Sequence, residues 1–214
     1  SGKSPEEYGA WCLAETEKTI EREGAHTIGA MFVEPVQGAG GVVVPPAGYL
    51  GALRELCRRH EILFVADEVI TGFGRLGAWF ASVLWDLEPD LPLGATMVSR
   101  EIAALFESSG YLAHGFTYTG HPTTCAAALA NLDIIEREGL VERVRDDVGP
   151  RFQSALLELA GHPLVAEVRG FGLIGALELR APRSGPNANA AANTLGLAAH
   201  LLAREEGVIV RGIR

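Results

Sequence analysis

Ile62-Leu63-Phe64-Val65-Ala66-Asp67-Glu68-Val69-Ile70-Thr71-Gly72-Phe73-Gly74-Arg75 is the stretch that decides the fold class. An apolar run of β character ends in an acid and then breaks into a glycine-rich turn. In open α/β sheets, ligands gather beyond the carboxyl ends of the strands. The Asp67 carboxylate therefore stands where a cofactor crevice would open, well sited to hold a charged ring nitrogen. The same residues also read as a strand end followed by an ordinary turn, and taken alone they support both readings equally.

Upstream, Ser4-Pro5-Glu6-Glu7 offers an N-cap, a proline at the first helical position and an acidic first turn, which predicts a helix to about Gly24. A strand over Ile28–Val33 follows, then the turn Glu34 to Gly41, a short strand over Val42–Val44, and a helix with Leu50, Leu53, Leu56 and Cys57 at helical spacing up to His60. The strand Ile62–Ala66 completes the unit. Strand, helix, strand, with both strands nearly continuous in apolar residues, predicts a parallel sheet covered on both faces. Helices dominate from Ser99 to Ala160. Strands near Leu164–Val168 and Leu173–Leu179, an Ala/Asn-rich stretch from Pro186 to Asn193, a helix and a last strand Val208–Val210 predict a second, smaller layer. The boundary is placed near Gly139.

A chain of 214 residues, 48% hydrophobic and 21% charged, can bury a real core. A net charge of −9 argues against nucleic acid or an anionic membrane as partner. No run is long enough to span a bilayer and no export signal opens the chain, so the cytoplasm is the expected location. Cys12, Cys57 and Cys125 all fall in predicted helices without CxxC spacing, which predicts buried thiols rather than disulfides or a zinc site. The six histidines are scattered, which argues against a metal site.

Seven motifs stand in order: EPVQGAGG at 34–41, PPAGYL at 45–50, FVADEVITGFGRLG at 64–77, PLGA at 92–95, HGFTYTGHP at 114–122, VRGFGLIGALEL at 168–179 and GVIVR at 207–211. In them the chain resembles a class III aminotransferase of pyridoxal phosphate (PLP) fold type I, and within that family the amine:pyruvate or ω-transaminase group. The resemblance implies an α/β fold. Residues 1–139 would be the C-terminal part of a PLP-binding large domain with a mainly parallel sheet, and residues 140–214 part of a small α/β C-terminal domain. It also implies a homodimer or dimer of dimers with active sites at the interface.

By this resemblance Asp67 is the partner of the pyridinium nitrogen, which keeps the ring an electron sink. Val69 is the apolar residue against the ring, on the same strand face as Asp67 if extension continues. Thr117 binds the PLP phosphate across the dimer interface, and Phe116 lines the neighbouring subunit's substrate pocket. Glu34 is a cofactor-side hydrogen-bonding residue or, equally, a structural part of its turn. Ala39 stands where glutamate-using relatives carry an acid that restrains a substrate-binding arginine, and Ile70 where relatives using 4-aminobutyrate or ornithine often carry glutamine. Both favour an amine donor with pyruvate or another keto acid as acceptor. Arg211 matches a mobile arginine that clamps the acceptor carboxylate, a bidentate task suited to guanidinium. Together these imply a ping-pong transamination.

The departure from the family is an absence. Transamination needs a lysine that holds the cofactor and then shuttles a proton, yet the only lysines are Lys3 and Lys18. In relatives an apolar strand, the lysine and a turn follow the Pro-Asp that Pro89-Asp90 matches. Here Asp90-Leu91 runs into Pro92-Leu93-Gly94-Ala95, so the Schiff-base segment is missing between 90 and 92. The large domain's N-terminal half and the extreme C-terminus of the family are also missing. Residues left out of the sequence, a fragmentary or mis-spliced product, and a pseudoenzyme all account for this; the first two together are favoured. Two other readings stand beside the transaminase. Gly2-Lys3-Ser4 before a helix, with the strand ending at Asp67-Glu68, weakly imitates a P-loop ATPase, although Glu6 and Glu7 would repel phosphate. A non-catalytic dimerisation partner, or an aminomutase or decarboxylase of the same fold, is the other.

Overall fold

The computed structural model describes residues 2–93, 99–109, 121–181 and 192–212. Helix α1 (Pro5–Glu23) opens as the sequence predicts. The Glu7 amide donates to Ser4 Oγ at 3.2 Å and the Ser4 amide to a Glu7 carboxylate oxygen at 2.8 Å, a reciprocal capping box. Strand β1 (Ala30–Val33), helix α2 (Tyr49–Arg59) and strand β2 (Leu63–Asp67) follow. A short helix α3 (Ala81–Leu84) then leads to strand β3 (Leu91–Leu93). The three strands pair in parallel in the order β1-β2-β3, with Val33 opposite Ala66 and Asp67 opposite Leu93.

The first core joins α1, α2 and one face of this sheet. Ile20, Leu50, Leu53, Leu56, Cys57, Ile62, Phe64, Ala66 and Leu87 are buried together, with Met31 and Val33 packed against them. Strand alternation sends Phe32 the other way, and it stands 67% exposed. Helices α1 and α2 both pack on the Met31/Phe64 side, but Val65, in register with Phe32 on the other face, is only 1% exposed, so the expected cover on both faces holds at β2 and fails at Phe32. The expected strand Val42–Val44 is not formed either. Gln37 and Val43 make a single antiparallel bridge that closes the 37–43 turn, and Val42 at φ 54° cannot continue an extended run.

Helices α4 (Arg100–Ser109), α5 (Pro122–Arg137), α6 (Leu140–Arg143) and α7 (Gly149–Glu158), with a π-helical turn over Val144–Val148, make up most of the described part of the predicted helical stretch. Strands β4 (Val165–Phe171) and β5 (Ile174–Leu179) then form an antiparallel hairpin, and α8 (Ala192–Glu205) follows. A second core unites the hairpin with the loops near β2: Val36, Val42, Leu76 and Ala81 are buried, with Phe171, Ile174 and Ala176 against them. Val208–Val210 forms no strand among the described residues. Instead the Val210 carbonyl meets the His200 ring on α8. Of the three cysteines, Cys57 is buried and Cys12 half-buried, but Cys125 is exposed, contrary to expectation, because on α5 only Ile135 is buried. No described helix is long and apolar enough to cross a membrane.

Candidate active site

Strand β2 ends at Asp67, and the side chain itself helps to end it. The Val69 amide donates to Asp67 Oδ1 at 3.1 Å, and the Gly72 amide to the Glu68 carbonyl at 2.8 Å, so the chain curls into turns. Val69 therefore does not continue the strand alternation that the sequence suggested. It projects from a turn, 73% exposed, next to the half-buried Asp67.

The turn carrying Glu34 lies against this one. Glu34 uses its carboxylate to accept the Gly38 amide at 2.9 Å, bracing its own turn. Gly38 sits directly against the end of the Ile70 side chain, where no larger residue would fit without Ile70 moving. The two turns interlock at this contact, leaving Ala39 exposed beside it. Asp67, Val69, Ile70, Glu34 and Ala39 are thus gathered at the carboxyl ends of β1 and β2.

One residue escaped the sequence reading. Glu68 is fully buried, and its carboxylate accepts the Thr71 hydroxyl at 2.6 Å, the Ala81 amide at 2.8 Å and the Ser82 amide at 2.7 Å. The residue preceding α3 is Phe80, which cannot cap it, so Glu68 does so from 13 residues upstream. Its signal in the sequence was an acid next to Asp67 that alternation turns to the opposite, buried side.

Arg211 is exposed after α8 and, among the described residues, shares no hydrogen bond or ion pair with the Asp67 turn. Thr117 and Phe116 lie outside the described residues. The P-loop imitation fails on geometry: the Ser4 hydroxyl and the helix N-terminus are engaged by Glu7, so an anion already occupies the place of a phosphate.

The ring of PLP fits what is present: an acid with one oxygen tied to its own turn and an apolar side chain open beside it. Covalent attachment does not fit. Lys18 is on α1 with its Nζ 2.7 Å from Glu15, and Lys3 precedes that helix. The third strand is made instead by Leu91-Pro92-Leu93. Asp90 secures this junction. Its amide donates to the Phe64 carbonyl at 3.0 Å and its carboxylate accepts the Phe64 amide at 2.8 Å, while Arg54 reaches both Asp90 and the Glu88 carbonyl.

Comparison with known proteins agrees with this geometry. Residues 3–214 match the family described as Aminotransferase class-III. The chain is 44% identical over 188 residues to a putrescine–pyruvate aminotransferase of Pseudomonas aeruginosa, a match covering 82% of this chain and 41% of that protein. It is 41% identical over 202 residues to mitochondrial gamma-aminobutyrate transaminase 1 of Oryza sativa subsp. indica, over 87% of this chain and 39% of that one. The crystal structure of the ω-transaminase of Pseudomonas jessenii in complex with PMP aligns with a TM-score of 0.87 at 39% identity, over 100% of this chain and 50% of that one. The chain therefore spans half or less of the length of these relatives. With an acid delivered to the carboxyl end of a parallel strand and this family match over nearly its whole length, the chain belongs to the class-III aminotransferases, whose fold is PLP fold type I and whose cofactor is pyridoxal phosphate.

Proposed function

We propose that this chain is part of an aminotransferase that moves an amino group from an amine or ω-amino acid to pyruvate or another keto acid by a ping-pong mechanism. The observation that carries this reading is the pair of interlocked turns, Gly38 against Ile70, which sets the uncharged Ala39 beside the turn that begins at Asp67. No acid stands at Ala39 to restrain an arginine, which suits a neutral or cationic amine better than a second carboxylate. Similarity to a putrescine–pyruvate aminotransferase supports the same choice.

When bound, PLP supplies the electron sink for loss of a proton from the carbon that bears the amine. Asp67 holds the ring nitrogen protonated, Val69 covers a face of the ring, and Glu34 keeps the facing turn in place. Arg211 clamps the acceptor carboxylate, and Thr117 and Phe116 serve the phosphate and substrate of a neighbouring subunit in a homodimer or dimer of dimers. The large domain extends to Gly139, whose φ of 59° turns the chain between α5 and α6. We place the protein in the cytoplasm.

A second reading, a catalytically dead member of the family, is favoured by one observation: β3 is closed by Leu91-Pro92-Leu93 with no lysine on it. Incubation with PLP and borohydride, then intact mass and peptide mapping, separates the two. Transamination requires an adduct on a lysine between Asp90 and Pro92 and a mass above 22.7 kDa; that mass without an adduct identifies the dead form. In the intact PLP-loaded enzyme, Asp67→Ala lowers turnover by on the order of a hundredfold or more, the scale on which control of proton transfer acts. Near-normal turnover overturns the role of Asp67.

A further inference from the structure

Arg169 on β4 takes no part in the site described so far. On β4 its neighbour Glu167 faces Glu178 of β5 across the ladder, a like-charge pair. The Arg169 guanidinium answers both: one Nη1 lies 2.6 Å from Glu167 and 2.7 Å from Glu178. The same planar group donates from Nε to the Gly41 carbonyl at 2.9 Å, 128 residues away in sequence. Gly41 has φ 104°, and a Cβ there would come within 3.2 Å of Arg169 Nη2, so the loop approaches the guanidinium as only glycine allows.

Gly41 lies in the turn closed by the Gln37–Val43 bridge, next to Ala39 and braced at Gly38 by Glu34. The hairpin is itself anchored. Gln153 of α7 donates to the Gly172 and Ile174 carbonyls at 2.9 and 3.0 Å, and the Leu173 amide donates to the Arg75 carbonyl at 3.0 Å.

We propose that Arg169 is a positioning residue, which fixes the 37–43 turn from the C-terminal hairpin and thereby sets where Ala39 and Glu34 stand at the site. This rests on the reading of that turn as the substrate side of a PLP site. A fork of guanidinium N–H groups can hold two carboxylates and a carbonyl at once; a lysine ammonium keeps the charge but cannot span all three.

The test compares wild type, Arg169→Lys and Arg169→Ala by amide hydrogen exchange with and without PLP, alongside thermal melting. In Arg169→Lys, exchange at Gln37 and Val43 rises about tenfold or more, the worth of a charge-assisted hydrogen bond. The 165–179 amides stay unchanged, and the melting midpoint falls by no more than about 2–4 °C. PLP protects the 37–43 amides in wild type and fails to do so in the variant. Unchanged loop exchange in Arg169→Lys overturns the proposal. So does acceleration spread equally over 165–179, which would make Arg169 a brace of the hairpin alone. Localised acceleration in the variant, with no protection by PLP in wild type, refutes the cofactor reading while supporting the latch, so the two failures are told apart.

Discussion

Replacing Glu68 tests whether a buried carboxylate organises the segment that follows Asp67. Its oxygens satisfy three buried donors, the Thr71 hydroxyl and the Ala81 and Ser82 amides, at 2.6 to 2.8 Å. Glu68→Ala leaves all three without their acceptor. At about 1–3 kcal/mol for each buried group so orphaned, and with water entering the vacated space to recover part of it, the loss is about 3–6 kcal/mol. That is comparable to the whole stability of many domains, about 5–15 kcal/mol. Glu68→Gln is the finer probe. Its carbonyl oxygen can take the place of Oε2 and keep Thr71 and Ala81, but its NH₂ group then faces the Ser82 amide, donor against donor. One bond is lost and one repulsion gained, so the variant falls by about 2–3 kcal/mol. Urea unfolding followed by circular dichroism reads both: at a slope of about 2–3 kcal/mol per molar, the Gln variant moves the midpoint down by about 1 M and the Ala variant by clearly more. A loss below about 1 kcal/mol in Glu68→Ala would mean that the carboxylate does not hold α3, and the account of the Asp67 turn would fall with it.

Two further outcomes follow from geometry. At Gly172 the backbone has φ 56°, and a Cβ would sit 2.6 Å from Leu76 Cα and 2.7 Å from the Arg75 carbonyl. Gly172→Ala therefore destabilises by about 2–4 kcal/mol, combining left-handed strain with a backbone clash, and an unchanged melting midpoint would contradict the close packing of the hairpin on Arg75–Leu76. Among the cysteines, burial pushes the Cys57 thiol up from its ordinary value, which leaves it protonated at neutral and mildly alkaline pH. A thiol reagent at pH 8 labels the exposed Cys125 first and Cys57 only on unfolding; equal rates in the native protein would show that the α2 core is open.

What was legible in the sequence is what local chemistry decides. Ser4, Pro5 and Glu7 mark the start of α1 because capping is settled within one turn, and Leu50, Leu53, Leu56 and Cys57 mark the buried face of α2 because helical period and burial coincide. The strand end at Asp67 was legible because a strand end is a local event, while the family was legible only from seven motifs in order. What was not legible depends on groups far apart in the chain. Glu68 caps a helix 13 residues on, and Arg169 reaches a carbonyl 128 residues back. Val42–Val44 carries β-branched residues suited to a strand, but the glycine turn before it and the positive φ of Val42 leave only one bridge. The nearly continuous apolar strands suggested cover on both faces; this holds for β2, where Val65 is buried, but not at Phe32, since period alone does not say how far the covering elements reach. No strand was read at Leu91–Leu93, where the family's lysine-bearing segment is missing; among the described residues β3 lies at the sheet edge, which tolerates Pro92, and Asp90 ties it to Phe64.

The order β1-β2-β3 also makes the sheet lopsided at its margins. Both outer strands end the ladder among the described residues, but they differ in what they present. β3 is three residues long and carries Pro92, which withholds a donor. β1 carries Ala30-Met31-Phe32-Val33, with neither proline nor charge and with Phe32 turned outward. Natural sheets blunt such edges because a bare row of amides and carbonyls beside an apolar side chain recruits further strands. Of the two edges formed by the described residues, β1 is therefore the one that recruits a further strand when this chain is handled by itself in solution, and Phe32→Lys is the substitution that would keep it dispersed.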